Sequence, residues 1–248
     1  MEKVLIVTGG SRGIGAATAL LASEQGYAVC VNYLQHQAAA QAIVSAIEKN
    51  GGRAIAVAAD VSIEADVNRL FEMVDQQLGQ VTALVNNAGV LEQQMRLENI
   101  DAARLNRIFA VNVTGSFLCA REAIKRMSTQ QGGAGGAIVN VSSVAARLGA
   151  PNEYVDYAAS KGAIDTMTIG LSKEVAAEGI RVNAVRPGFI YTDIHKSSGE
   201  PHRIERVRES VPMKRGGHVN EVAHAIVWLL SSEASYITGS FIDIAGGK

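Results

Sequence analysis

Tyr157 and Lys161, in the segment YAASK at 157–161, have the side chains and the spacing for acid/base chemistry. They lie four residues apart at the start of a predicted helix over 154–178, so they share one face and their side chains can converge on one point. A phenol with a pKa near about 10 is a poor base at neutral pH. An ammonium at about 4 Å, in an effective dielectric of about 20, contributes roughly 4 kcal/mol. At about 1.4 kcal/mol per unit this lowers the pKa by about 3 units, toward the range a general base needs. Surface Tyr and Lys pairs with the same spacing are common on helices, so the pair by itself leaves both readings open.

A second segment, TGGSRGIG at 8–15, ends a strand-like run and opens a helical pattern. Gly9, Gly13 and Gly15 stand where a chain bends sharply and comes close to a ligand, and amides at the positive end of a helix dipole suit a pyrophosphate. The spacing is TGxxxGxG, not GxGxxG. A tight turn without a ligand would need the glycines but would have no use for Arg12.

Positioning both segments requires a framework, and the sequence supplies an alternation. Strand-like runs at 4–9, 28–33, 54–60, 83–89, 137–143, 180–188 and 241–246 are separated by helical patterns that include 14–25, 36–50, 64–78, 100–128 and 154–178. Strands apolar on both faces, alternating with helices, predict an α/β fold: a Rossmann doubly wound, seven-stranded parallel sheet with helices on both faces. Such sheets bind ligands at the carboxyl ends of their strands, which is where TGGSRGIG falls. QQGGAGG at 130–136 has the composition of a flexible surface connector. The polar stretch 193–218 is long enough to be a lid.

With 248 residues and 48% apolar content, the sequence predicts a single domain over 1–248. Lys and Arg total 23 against 24 Asp and Glu, a net charge of -1, which gives no attraction for nucleic acid or an anionic membrane. Met1 runs directly into VLIV without a leader pattern, and no apolar run approaches the roughly 18 residues of a membrane span, so a cytoplasmic protein is expected. Cys30 and Cys119 are the only cysteines; they suit a reducing compartment and read as small buried hydrophobes.

TGGSRGIG, NNAG at 86–89, Asn112 in NVTG, the serines at 142 and 143, YAASK and PG at 187–188 occur in that order along essentially the whole chain. Together they resemble the short-chain dehydrogenase/reductase family, in its 3-oxoacyl-carrier-protein reductase and glucose dehydrogenase-like branch. The resemblance implies hydride transfer between a nicotinamide cofactor and a carbonyl or secondary alcohol. Tyr157 then exchanges a proton with the substrate oxygen, Lys161 also holds the nicotinamide ribose, and the cofactor's positive charge lowers the phenol's pKa further.

The resemblance makes Ser143, second of its pair, the donor to the substrate oxygen, with Ser142 as the fallback. Ser143 precedes Tyr157 by 14 residues, one more than the family's usual spacing, so APNEYVDY is expected to bulge outward. Asn112 matches the residue that kinks its helix and holds a relay water between lysine and solvent; a plain buried hydrogen bond is the alternative. The implied cofactor set begins with Gly9, Ser11, Arg12, Gly13, Ile14 and Gly15 of the turn, and Asn32 ends the second strand. Asp60 and Val61 match the adenine contacts, and Asn87, Ala88 and Gly89 the adenine ribose side. Pro187, Gly188, Ile190 and Thr192 lead to the nicotinamide amide, and Tyr157 and Lys161 complete the set.

An acidic residue at the end of the second strand would hold a ribose 2'-hydroxyl and repel a 2'-phosphate, but Asn32 and Tyr33 stand there. Arg12 matches the family's 2'-phosphate ligand, so NADP(H) is favoured over NAD(H), although Leu34 and Gln35 occupy the stretch of a second frequent arginine. The substrate is expected to be a small molecule. Glu174 and Glu178 stand where carrier-protein reductases present basic residues, which argues against an acyl-carrier-protein partner. Tyr154 and the 193–218 stretch, with His195, Lys196, His202 and Arg203, shape the pocket or its lid. The histidines lack metal-ligand companions, so no metal is expected. The family implies a homotetramer packed through the 100–128 and 154–178 helices. A non-catalytic nucleotide sensor or assembly protein on the same fold is the alternative, against which the joint retention of Ser143, Tyr157, Lys161 and Asn112 stands.

Overall fold

The seven apolar runs form seven strands in a computed structural model that describes residues 3–192 and 198–248. They are β1 (Lys3–Val7), β2 (Tyr27–Tyr33), β3 (Ala54–Ala58), β4 (Ala83–Asn86), β5 (Gly136–Val141), β6 (Ile180–Pro187) and β7 (Phe241–Ile244). All pair in parallel, in the order β3-β2-β1-β4-β5-β6-β7. The strand order reverses direction between β1 and β4, which opens a crevice at their carboxyl ends.

Successive residues of β1 point to opposite faces and enter two separate cores. Val4 and Ile6 pack on one side with Leu70, Phe71, Cys119 and Ile164. Leu5 and Val7 pack on the other with Ala19, Val44, Ile47 and Ile226. Helices α1 (Gly13–Glu24) and α2 (Gln37–Lys49) cover the second face; α3 (Glu64–Gln77), α5 (Gly115–Met127) and α7 (Val155–Glu174) cover the first. Cys30 and Cys119 are buried and unpaired, as small apolar residues would be. No helix among the described residues is long and apolar enough to cross a membrane.

The expected helical stretch over 100–128 is interrupted. It divides into α4 (Ala102–Phe109), a π-helical turn (Ala110–Thr114) and α5, and Asn112 lies in the π turn. Short helices α6 (Ala145–Leu148) and α8 (Arg203–Val207) flank the crevice. The alternation requires an element between β6 and β7, and α9 (Val219–Leu230) is that element, left unplaced by the sequence-based expectations. It starts with a reciprocal cap in which the His218 amide donates to Glu221 Oε2 at 2.7 Å. QQGGAGG is largely exposed, as a surface connector would be, and the Gly133 and Gly135 amides donate to the Ser128 and Met127 carbonyls at 2.8 Å, closing the end of α5. The expected lid at 193–218 is only partly described, and His195 and Lys196 lie outside the described residues.

Candidate active site

The glycine turn joins β1 to α1 because only glycine tolerates its geometry. Gly9 has φ +60, and a Cβ there would lie 3.1 Å from the Ala88 Cα. A Cβ on Gly15 would lie 2.5 Å from the Gly9 carbonyl oxygen and 2.6 Å from Asn87 Nδ2. Gly15 therefore lets α1 pack closely against the turn and is not among the residues lining the crevice. Asn32 clasps the turn to the sheet: its Oδ1 accepts from the Gly9 amide at 3.1 Å while its Nδ2 donates to the Ala59 carbonyl at 3.0 Å. Asn87 secures the other side through Nδ2 to the Thr8 carbonyl at 2.8 Å.

This turn forms one end of a cleft of about 610 Å³. Every other residue assigned from the sequence lines that cleft except Asn112: Ser11, Arg12, Gly13 and Ile14, then Asp60 and Val61, the 87–89 segment, Pro187, Gly188, Ile190 and Thr192, and finally Ser143, Tyr157 and Lys161. The amides of residues 11–15 bond no described residue, which leaves donors unmatched at the α1 N-terminus. Arg12 makes no hydrogen bond or ion pair through its side chain with any described residue. Unmatched amides beside an unpaired guanidinium fit the phosphates of a dinucleotide.

At the opposite end, α7 begins at Val155, and Tyr157 and Lys161 rise from one of its faces. The Lys161 ammonium lies 5.6 Å from the Tyr157 ring centroid and donates to the Val141 carbonyl at 2.7 Å. Burial lowers the Lys161 pKa to about 8, although the nearby Asp165 carboxylate opposes this. The Tyr157 phenol shifts the opposite way from what the Lys161 pairing alone predicts: burial pushes it up to about 12, with the Ser143 hydroxyl and the Arg203 charge pulling it down. Lys161 is engaged with a backbone carbonyl beside the ring and does not act on the hydroxyl in this state.

Both serines line the cleft, but they have different partners. Ser142 is buried, and its hydroxyl donates to Asp165 Oδ1 at 2.6 Å. Ser143 lines the cleft with Tyr157; its hydroxyl donates to the Pro187 carbonyl at 3.4 Å and its Oγ accepts from the Ala145 amide at 3.1 Å. The stretch leading to Tyr157 passes through a turn in which Gly149, Ala150 and Asn152 all have positive φ.

Asn112 stands behind the cleft. Its Oδ1 accepts from the Val90 amide at 2.8 Å, and its Nδ2 donates to the Val90 carbonyl and Ser160 Oγ, both at 3.1 Å. A Cβ on Gly89 would lie 3.4 Å from Asn112 Oδ1 and 3.7 Å from Lys161 Nζ, so these three groups meet at one point. Two features of the site escape the sequence. Arg104 of α4 forms a buried two-bond pair with Asp156, at 2.6 and 3.2 Å, and also donates to the Gln93 carbonyl at 2.6 Å. Asp156 Oδ1 in turn accepts from the Tyr157 amide at 2.9 Å. Asp165, one turn beyond Lys161, is shared by Ser142 and Arg186, the latter at 2.9 Å. The i,i+4 spacing to Lys161 was a signal for Asp165; nothing local announces Arg104.

A family model described as "Enoyl-(Acyl carrier protein) reductase" matches residues 9–248. The chain is 62% identical over 245 residues to an uncharacterized oxidoreductase, YgfF, of Escherichia coli (strain K12), with 99% of each chain covered. It is 39% identical over 250 residues to a 3-oxoacyl-[acyl-carrier-protein] reductase of Synechocystis sp., covering 99% of this chain and 96% of that one. A crystal structure of a dehydrogenase/reductase from Sinorhizobium meliloti 1021 superposes with a TM-score of 0.91 at 33% identity, covering 99% and 94% of the two chains.

Proposed function

The chain belongs to the short-chain dehydrogenase/reductase family of NAD(P)(H)-dependent oxidoreductases, and from that premise we propose that it interconverts a small carbonyl compound and its secondary alcohol with NADP(H), using Tyr157 as general acid/base. One observation carries this reading: Tyr157, Ser143 and Lys161 share a cleft with the glycine turn and its unmatched amides. A bound NADP(H) supplies or accepts the hydride. Ser11 to Gly15 offer amides to its pyrophosphate, and Asp60 with Val61 and the 87–89 segment line the adenosine side.

Ser143 donates to the substrate oxygen and shares that oxygen with the Tyr157 hydroxyl. In reduction the phenol gives its proton to the carbonyl oxygen; in oxidation the phenolate takes the alcohol proton. Lys161, on leaving the Val141 carbonyl, stabilises the phenolate and holds the nicotinamide ribose. Asn112 positions Val90 and adjoins Lys161, which suits it to pass a proton outward through water. The pairing of Arg12 with no described carboxylate, and the absence of an acidic side chain at the end of β2, favour a 2'-phosphate and hence NADP(H) over NAD(H).

The segment from 198 to 218 acts as the described part of a substrate lid within a single domain spanning the chain. Phe109, Phe117 and Ile169 are exposed on α4, α5 and α7, which supports a homotetramer packed through those helices in the cytoplasm. The decisive experiment is Tyr157→Phe assayed by cofactor absorbance on a panel of carbonyls and alcohols. Turnover should fall by at least about 100-fold, the scale of a lost general acid/base, with NADPH binding retained; full turnover in the variant would end the proposal.

A further inference from the structure

α8 carries one charged side chain into the substrate end of the cleft. Arg203 is 7% exposed and lines the cleft together with Tyr157, Tyr154, Phe189 and Glu153. Its guanidinium lies 4.7 Å from the Tyr154 ring centroid and 5.5 Å from that of Phe189. It donates to Glu153 Oε2 at 2.5 Å and to Glu200 Oε2 at 3.3 Å. The buried Tyr154 hydroxyl has no hydrogen-bond partner among the described residues, and its ring faces Arg203. A buried guanidinium loses water at a large cost, which two rings and two carboxylates offset here. Arg206 shares the same two carboxylates but is exposed.

The charged and titratable groups around the Tyr157 phenol come from three elements. From α7 itself, Lys161 lies against the ring and bonds Val141, while Asp156 is held by Arg104. Ser143, just past the end of β5, and Arg203, from α8, line the same cleft as the phenol. We propose that Arg203 is a positioning residue for the acid/base: seated by Tyr154, Phe189, Glu153 and Glu200, it presents a cation to the Tyr157 phenol and stabilises its ionised form. The direction of the electrostatic effect agrees, since the Arg203 charge favours phenolate against the burial that opposes it. In alcohol oxidation the phenolate takes the hydroxyl proton as the carbinol hydride leaves for the oxidised nicotinamide. In reduction the phenol loses its proton to the carbonyl oxygen, and Arg203 steadies the phenolate left behind.

The proposal rests on Tyr157 being the acid/base, and its test separates the two claims. The pH dependence of kcat for alcohol oxidation is measured for the parent, Arg203→Gln, Arg203→Lys and Arg206→Gln. Phenolate absorbance of the complex with oxidised cofactor is titrated in parallel, taking Tyr157→Phe as the blank. Arg203→Gln removes the cation and leaves two carboxylates less compensated, so the acidic limb and the phenolate titration should both move up by about one unit, about tenfold less phenolate at a given pH below them. Arg203→Lys should restore most of that shift, and Arg206→Gln should leave both in place. A merely structural arginine would change KM or melting temperature while both titrations stayed put, and that result, or equal shifts in Arg203→Gln and Arg206→Gln, would overturn the proposal. An active Tyr157→Phe would instead remove the underlying reading.

Discussion

Lys161 stands over the face of the Tyr157 ring, 5.6 Å from its centroid, while its ammonium bonds the Val141 carbonyl at 2.7 Å. The two groups thus share a helix face without the ammonium reaching the hydroxyl. Burial then dominates both, lowering the amine to about 8 and pushing the phenol up to about 12. A ligand that draws Lys161 from Val141 toward the phenol would reverse the second effect, which ties acid/base competence to an occupied site.

Lys161 should make stability depend on pH in a definite direction. Its pKa falls from the ordinary 10.5 to about 8 on folding, so the unfolded chain holds more protons between those values and stability rises with pH across that window. Relative to Lys161→Met, the parent should gain roughly 3 kcal/mol between pH 8 and 10.5. The Tyr157 phenol, raised from 10.0 to about 12, works the other way: its stabilisation is complete below 10 and lost as pH climbs toward 12. Urea unfolding of both proteins at pH 7 and pH 10 reads the difference, and parallel pH profiles would count against a buried ammonium.

The two serines should separate cleanly. Ser143→Ala removes the cleft-facing donor and should reduce kcat by about 100- to 1000-fold, the usual loss for one donor at a reacting oxygen. Ser142→Ala removes a bond to buried Asp165 and should cost about 1–3 kcal/mol of stability with a much smaller effect on kcat. Steady-state kinetics and denaturant titration on each variant decide between them, and the reverse pattern would move the role to Ser142.

Arg12→Ala should discriminate between cofactors. Losing a charged contact to a 2'-phosphate weakens NADPH by about 10- to 100-fold, whereas NADH should change by no more than about threefold. Fluorescence titration of both reduced cofactors measures this, and an equal loss for the two would identify a structural arginine.

The Arg104–Asp156 pair should govern folding as well as the site. With side chains only 7% and 0% exposed, truncating one partner strands a buried charge, and Arg104→Met should lose about 3–5 kcal/mol. Because Asp156 also accepts from the Tyr157 amide, replacing both partners with apolar residues should recover stability while leaving kcat depressed. Recovery of kcat along with stability would show that the pair only holds α4 to α7.

Local spacing made much of this protein legible. The alternation of apolar runs reads out a parallel sheet, the TGGSRGIG turn reads out a strand-to-helix bend that needs glycine, and YAASK reads out one helix face, because each depends on neighbours a few residues away. The interruption at Asn112 is expected only through the family resemblance, and the clasp that Asn32 makes on Gly9 depends on packing between elements, of which sequence patterns carry no trace. The same holds for the different partners of the two adjacent serines, for the junction of Arg104 with Asp156, and for the place of Arg203 in the cleft that Tyr157 lines. The sign of the Tyr157 shift belongs with these. Desolvation sums over every atom packed around the hydroxyl, whatever its place in the chain, so only the folded structure could set burial above the charge four residues along the helix.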